Sequence, residues 1–146
     1  MEFELFVCTT SEYREFLTKI HEIMSRHLQC DIKSDTDEDG AYFSCEYFTI
    51  TIFENSDLEY IEEQYDVKAS YCIDINLFSK VYEQGLCVIF KMISELLEIT
   101  SGDILFLGNG SIELFKRTQR GVLAKNNSYY NFQFPFHEID VSLELK

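Results

Sequence analysis

The stretch Ile104–Phe115 reads ILFLGNGSIELF and carries the clearest structural signal in the sequence. Two apolar runs, Ile104–Leu107 and Ile112–Phe115, flank the turn sequence Gly108–Ser111. An Asn-Gly pair between hydrophobic runs is typical of a tight β-hairpin, because both residues tolerate the positive φ angles that such turns require. The stretch therefore predicts two adjacent antiparallel strands.

Hydrophobic periodicity outside this hairpin predicts two helices and several more strands. Apolar residues recur at helical spacing from about Thr10 to Leu28 and from about Lys80 to Ile99, and the second helix has the wider apolar surface. Alternating or β-branched residues predict strands at Glu2–Cys8, Ala41–Phe53, Val67–Phe78 and Ile139–Leu145, with a further short strand at Gly121–Lys125.

Three polar segments are predicted to lie outside the sheet. Ser34–Gly40 is expected to form a turn, Glu54–Gln64 a loop or a loose helical turn, and Asn126–Gln133 a loop. Little helix separates most of the strands, so the expected order is βαββαβββ, plus the short strand at Gly121. The predicted fold class is α+β, with a mainly antiparallel sheet and two helices in a single domain over residues 1–146.

The composition indicates a globular protein that favours cationic partners. Hydrophobic residues make up 46% of the 146 residues, and the formal net charge is −14 at pH 7. Like charges repel, so such a chain is a poor ligand for nucleic acid or an anionic membrane. Five widely spaced cysteines and a Met1 end without signal-peptide features predict a cytoplasmic protein with reduced thiols.

The negative charge is concentrated in Asp31–Asp66. This stretch holds twelve acidic residues and one basic residue, Lys33, which gives it a net charge of −11. Its centre is aromatic and β-branched, so the acids belong to a folded segment and not to a disordered tail. Such a surface suits a positive ligand, either a basic protein or a metal ion.

Part of this stretch has the spacing of a calcium-binding loop. Asp35, Asp37, Asp39, Gly40 and Glu46 match the EF-hand pattern, in which alternate carboxylates and a distal Glu surround one ion. The flanking sequence predicts turn and strand, whereas an EF-hand needs a helix on each side. A calcium-binding module therefore stays an alternative, which calcium titration followed by tyrosine fluorescence would test.

The candidate partner-binding residues form two clusters within the acidic stretch. Tyrosines lie among the acids of the second cluster, and a tyrosine can bury its ring against a partner while its hydroxyl forms a hydrogen bond. If Ala41–Phe53 is one strand, the clusters lie at its opposite ends, roughly 40 Å apart at ~3.3 Å per residue. The candidates are Asp35, Asp37, Glu38 and Asp39 in the first cluster, and Glu59, Tyr60, Glu62, Glu63 and Tyr65 in the second.

The sequence offers little for catalysis or for nucleic-acid binding. It has no P-loop, no G-x-S-x-G and no Rossmann glycine run, so we predict no catalytic residue, metal or cofactor. A small basic run contains Lys116, Arg117, Arg120 and Lys125. We interpret it as a solvated strand edge or as a partner for the protein's own acids, because four positive charges steer weakly against the overall charge.

The segment Leu96–Arg117 resembles immunity proteins of the swarming-inhibition type, which are partners of bacterial polymorphic toxins. The resemblance lies in a helix, then Gly102-Asp103, a hydrophobic strand, the Asn109-Gly110 turn, and a strand that ends in Lys116-Arg117. It covers a minor part of the chain and assigns no site residue. It implies inhibition by binding, without catalysis.

The leading hypothesis from the sequence is a cytoplasmic immunity protein that neutralises a cognate cationic toxin domain, plausibly a nuclease. A nuclease needs a positive cleft to hold phosphates, and a concentrated negative surface can occupy that cleft. An adaptor subunit for another basic protein is an equally compatible binding role. The sequence leaves the oligomeric state open.

Overall fold

The computed structural model describes residues 1–54, 56–125 and 129–145 of the chain. These residues form an α+β fold with nine strands and three α-helices. The strands are β1 (Glu2–Val7), β2 (Lys33–Thr36), β3 (Gly40–Ser44), β4 (Phe48–Phe53), β5 (Tyr71–Leu77), β6 (Ile104–Gly108), β7 (Ile112–Thr118), β8 (Gly121–Ala124) and β9 (Glu144–Leu145). The helices are α1 (Tyr13–His27), α2 (Glu59–Tyr65) and α3 (Tyr82–Ile99).

The described strands pair into one sheet in the order β2-β3-β4-β5-β1-β6-β7-β8-β9. All neighbouring pairs are antiparallel except β8 and β9, which are parallel. The first strand of the chain is therefore the central strand of the sheet. This arrangement confirms the predicted α+β class with a mainly antiparallel sheet.

One face of the sheet carries the main hydrophobic core, which α1 and α3 cover. Alternate residues of β1, such as Phe3 and Leu5, are buried in this core. α1 adds Phe16 and Ile20, and α3 buries most of its circumference, as its wide apolar surface predicted. Among the described residues, no helix combines the length and the apolar character that crossing a membrane requires.

The opposite face of the sheet is covered only in part. α2 packs there through Ile61, its one buried residue, which joins Phe6, Leu105 and Leu107 in a second, smaller core. Val67, just after the helix, completes this cluster. A seven-residue helix covers only a small part of a wide sheet, so strands farther from the centre keep this face open.

The predicted hairpin is confirmed. β6 and β7 pair antiparallel around Asn109 and Gly110, which have positive φ angles of 51° and 77°. Gly121–Lys125 is also confirmed as a short strand, which ends at Ala124 in the structure.

The predicted count of two helices and the order βαββαβββ are not confirmed. Ala41–Phe53 is a hairpin of β3 and β4, not one strand, because the buried positions change parity from Ala41 and Phe43 to Phe48, Ile50 and Ile52. The segment Ser34–Gly40, predicted as a turn, contributes most of β2.

Two other predictions also differ from the structure. Glu54–Gln64 was predicted as a loop or a loose helical turn, and the structure has the regular helix α2 from Glu59 to Tyr65; residue 55 lies outside the described residues. Ile139–Leu145 is a strand only at Glu144–Leu145, because Ile139 packs into the core beside a 3₁₀ turn. Residues 126–128 of the predicted Asn126–Gln133 loop lie outside the described part of the chain.

Candidate partner-binding surface

The first acidic cluster forms the tip of the β2–β3 hairpin. The Asp37 carboxylate accepts hydrogen bonds from the backbone N–H groups of Asp39 and Gly40, at 2.8 and 2.9 Å. These bonds lower the pKa of Asp37, because they stabilise its ionised form. Asp35, Asp37, Glu38 and Asp39 are all exposed. The turn therefore holds a fixed group of negative charges in solvent.

The two predicted clusters do not lie at opposite ends of a strand. The β3–β4 hairpin brings the end of β4 back beside the start of β3. There the Glu54 N–H donates to the Asp39 carbonyl at 3.2 Å. Glu54 begins the segment that leads to α2. The predicted separation of roughly 40 Å is therefore wrong, since it assumed one continuous strand.

The second cluster lies on α2, which keeps its acids in solvent. Glu59, Glu62 and Glu63 are exposed, while Ile61 holds the helix against the sheet. Lys116 donates to the Tyr65 carbonyl at the end of the helix, and the Tyr65 hydroxyl donates to the Ser111 carbonyl at 3.2 Å. Tyr65 is thus partly committed to holding α2 in place.

The side of β1–β5 that faces away from α1 and α3 forms what we call the open face. Directly opposed residues share a face of a sheet, so one row runs Asp35, Tyr42, Thr51, Asp74 and Glu4 across β2, β3, β4, β5 and β1. All five side chains are exposed or half-buried. The row spans four strand spacings, roughly 19 Å at ~4.8 Å each.

A shallow cavity of about 400 Å³ lies on this open face. Its lining mixes carboxylates with small polar side chains. The residues that define it include Glu2, Glu4, Thr49, Thr51, Asp74 and Asn76. The cavity is large enough to receive a side chain from a partner, and its charged walls are negative.

Glu4 and Asp74 form the acidic centre of the open face. The Cys72 thiol lies 3.5 Å from Asp74 Oδ1 and 3.9 Å from Glu4 Oε2, and it can donate its one proton to either carboxylate. Burial raises the pKa of Glu4, and the charge of Asp74 raises it further. Burial and the nearby Glu2 likewise raise the pKa of Asp74. Within the described residues, neither carboxylate forms an ion pair.

Tyr60 from α2 lies beside this centre. Burial and then the charges of Glu4 and Asp74 raise the pKa of its hydroxyl. Its side chain is nevertheless 44% exposed, and Phe53 on the same face is 38% exposed. The Phe53 ring covers Gly40, where an added Cβ would lie 3.0 Å from the ring. One aromatic ring, Tyr60, thus lies beside the carboxylates, and a second, Phe53, lies on the same face over β3.

The sequence prediction included Tyr60 but missed Glu4 and Asp74. The pair forms only when β1 and β5 align Glu4 with Asp74, and no local pattern fixes that pairing. A weaker signal was present: in both strands, acids alternate with buried apolar residues, which predicts one polar face.

Several basic residues pair with the protein's own groups. Arg26 pairs with Glu95 at 2.7 Å, and Lys116 and Lys125 both contact Glu113. Arg117 donates to the carbonyls of Leu97, Thr100 and Gly102 at the end of α3. Within the basic run, Lys116 and Lys125 therefore meet one of the protein's own acids, as interpreted, whereas Arg117 binds backbone carbonyls and Arg120 is exposed.

The calcium-loop spacing does not bring its carboxylates together. Asp35 lies on β2, and Glu46 follows β3 at the other end of the hairpin, so strands occupy the places of the EF-hand helices. Among the described residues, a group of three side chains with metal-ligand geometry occurs at Glu4, Cys72 and Asp74, not at this hairpin.

Comparisons with protein-family models, with curated proteins and with solved structures find no match to this chain. The similarity of Leu96–Arg117 to swarming-inhibition immunity proteins thus stays a prediction from the sequence.

Proposed function

We propose that this chain is a non-catalytic binding protein that neutralises a cationic protein, in the manner of an immunity protein and its toxin. The predicted partner is a basic toxin domain, plausibly a nuclease, and the predicted location is the cytoplasm. The observation that carries the proposal is the arrangement of the acids. The Asp39–Glu54 hydrogen bond joins the hairpin tip to the end of β4, and the exposed acids of α2 follow from Glu59 onward.

This arrangement supports binding to one partner surface. Acids of the open face and of α2 lie on the side of the sheet away from α1 and α3. The hairpin tip borders this side at the β2–β3 edge, where Asp37 and Glu38 line a groove with α1. A negative surface steers a positive partner and raises its association rate by roughly 10–10³-fold at low salt. A nuclease held in this way would lose its access to nucleic acid.

The distribution of basic residues adds to the argument. Arg26 and Lys125 pair with Glu95 and Glu113, and Arg117 donates to backbone carbonyls, so these bases are not paired with Glu59, Glu62 or Glu63 of α2. Carboxylates that the protein's own bases leave unpaired gain favourable electrostatic energy when a positively charged partner binds.

The test begins with recovery of the partner by affinity capture from the native cell. Expression of that partner alone should arrest growth, and co-expression of this chain should restore it. Stopped-flow association should slow as salt rises, since charge drives the encounter.

A charge variant then tests whether the acids of α2 speed the association with the partner. Glu59→Gln, Glu62→Gln and Glu63→Gln together should lower the association rate about tenfold at low salt and flatten its salt dependence. The matched control is Glu15→Gln, Glu22→Gln and Glu98→Gln, which removes the same charge from exposed sites on α1 and α3. Equal rates for the two variants, or a partner that is not basic, would contradict the proposal.

A further inference from the structure

We infer that the open face of β1–β5 is the docking surface itself, and that it takes an arginine or lysine side chain of the partner between Glu4, Asp74 and Tyr60. This inference rests on the proposed function and gives it a location. It moves the centre of the interface from the hairpin tip to the middle of the sheet.

The shape of the sheet is the first reason. β2, β3 and β4 bury one side against the main core, yet their other side is not covered by any helix within the described residues. α2 ends this exposed area, because it packs over β1 and β6 through Ile61, Phe6 and Leu105. The open face is thus an exposed area of the sheet that α2 bounds on one side.

The charge of the face is the second reason, and it selects the occupant. The open face carries Glu2, Glu4, Asp35 and Asp74 against one base, Lys33. Glu4 and Asp74 are half-buried, and the weak Cys72 thiol donor is their shared hydrogen-bond contact. A guanidinium or ammonium group would supply the donors and the positive charge that this pair lacks.

The aromatic residues are the third reason. Tyr60 exposes its ring close to Glu4 and Asp74, whereas Phe53 exposes its ring over Gly40 on the same face. A cation held over such a ring gains electrostatic attraction in addition to its ion pair, and arginine stacks on aromatic faces especially well. The two carboxylates, the Tyr60 ring on one side of them and the cavity of about 400 Å³ that they line together match a cationic side chain carried by a protein.

The test uses peptides as probes on the full chain. An N-acetylated tetra-arginine amide is titrated into ¹⁵N-labelled protein, with a tetra-citrulline amide of the same shape but no charge as its control. The amides of Glu4, Thr49, Thr51 and Asp74 should shift most. The double variant Glu4→Gln with Asp74→Asn should raise the dissociation constant of the tetra-arginine peptide about tenfold or more, because it removes partly desolvated charge pairs.

The matched control is Glu22→Gln with Glu98→Gln, which lowers the charge equally on the helix side and should leave the constant within about twofold. Shifts centred on residues 37–39 and 59–63, with unchanged binding by the open-face variant, would overturn this inference. The proposed function would survive that result, since it is judged by the salt dependence of the captured partner.

Two other results also decide against the inference. Equal binding of the arginine and citrulline peptides would show that charge does not select the occupant. Zn²⁺ that binds at micromolar concentration, shifts the same amides and displaces the peptide would make the occupant a metal ion held by Glu4, Cys72 and Asp74.

Discussion

Replacing Glu4 by Gln removes one of two carboxylates that repel each other across β1 and β5. One oxygen of Glu4 lies within 4.8 Å of one oxygen of Asp74. At that distance two unit charges repel by about 3 kcal/mol at an effective dielectric constant of 20, and by about 1 kcal/mol in water. Both groups are half-buried, so their environment lies between these limits.

The Glu4→Gln variant should therefore be more stable than the natural chain at neutral pH. Gln keeps the shape of Glu and its amide can donate to Asp74, so we expect a gain of about 1–2 kcal/mol in the free energy of unfolding. For a chain of 146 residues this corresponds to a rise in Tm of about 3–6 °C.

The gain should disappear on acidification. The pKa of both carboxyl groups is raised in the folded state, chiefly by burial and further by neighbouring acids, against a smaller lowering by the Cys72 hydrogen bond. Between the unfolded and the folded pKa, the native state binds more protons, so the stability of the natural chain falls as pH rises. The difference in the free energy of unfolding between Glu4→Gln and the natural chain should thus reach its full size above the raised pKa values. It should shrink as the pH falls through them.

The assay is thermal unfolding by circular dichroism from pH 3.5 to 8. Glu38→Gln is the control, since it removes one exposed acid at the hairpin tip and should change stability by less than about 0.5 kcal/mol. A Glu4→Gln protein that melts at the same temperature as the natural chain at pH 8, or below it, would refute the reasoning.

Three further predictions concern the parts of the fold that hold this surface. Arg117→Met should cost about 2–4 kcal/mol in urea unfolding, because it leaves the carbonyls of Leu97, Thr100 and Gly102 unpaired, whereas exposed Arg120→Met should cost less than about 0.5 kcal/mol. Gly110→Ala should destabilise the β6–β7 hairpin by about 1 kcal/mol, because its φ of 77° disfavours a Cβ; an unchanged urea midpoint would count against that turn. Ile61→Ala should cost about 2–4 kcal/mol and speed hydrogen exchange in α2 more than in α3; equal exchange in both helices would contradict independent docking of α2.

The sequence predicted those parts of the fold whose signals are local. The hairpin around Asn109-Gly110 depends on turn chemistry, and α1 and α3 depend on long apolar periodicity, so each was recognised within about twenty residues. The division of Ala41–Phe53 was also readable, since Phe43 and Phe48 cannot both face the core from one regular strand.

The missed elements lack such signals. α2 has seven residues and a single buried side chain, so tertiary packing and not periodicity makes it helical. β2 is exposed along its whole length and shows no alternation. The pairing of Glu4 with Asp74 joins residues far apart in sequence, and only the assembled sheet brings them together.

These omissions bear directly on function, because the short α2 and the exposed β2 are what create the open face. A longer helix would cover β4 and β5 and bury Thr51 and Asp74, as α1 and α3 bury the other side of the same strands. Glu4 and Asp74 then stand in a half-buried position where their mutual repulsion opposes folding. These two carboxylates lower stability and have no ion-pair partner among the described residues. A role in binding a cationic partner accounts for their presence. A gain of stability with a loss of binding in the same Glu4→Gln variant is the combination that a purely structural role for this carboxylate does not predict.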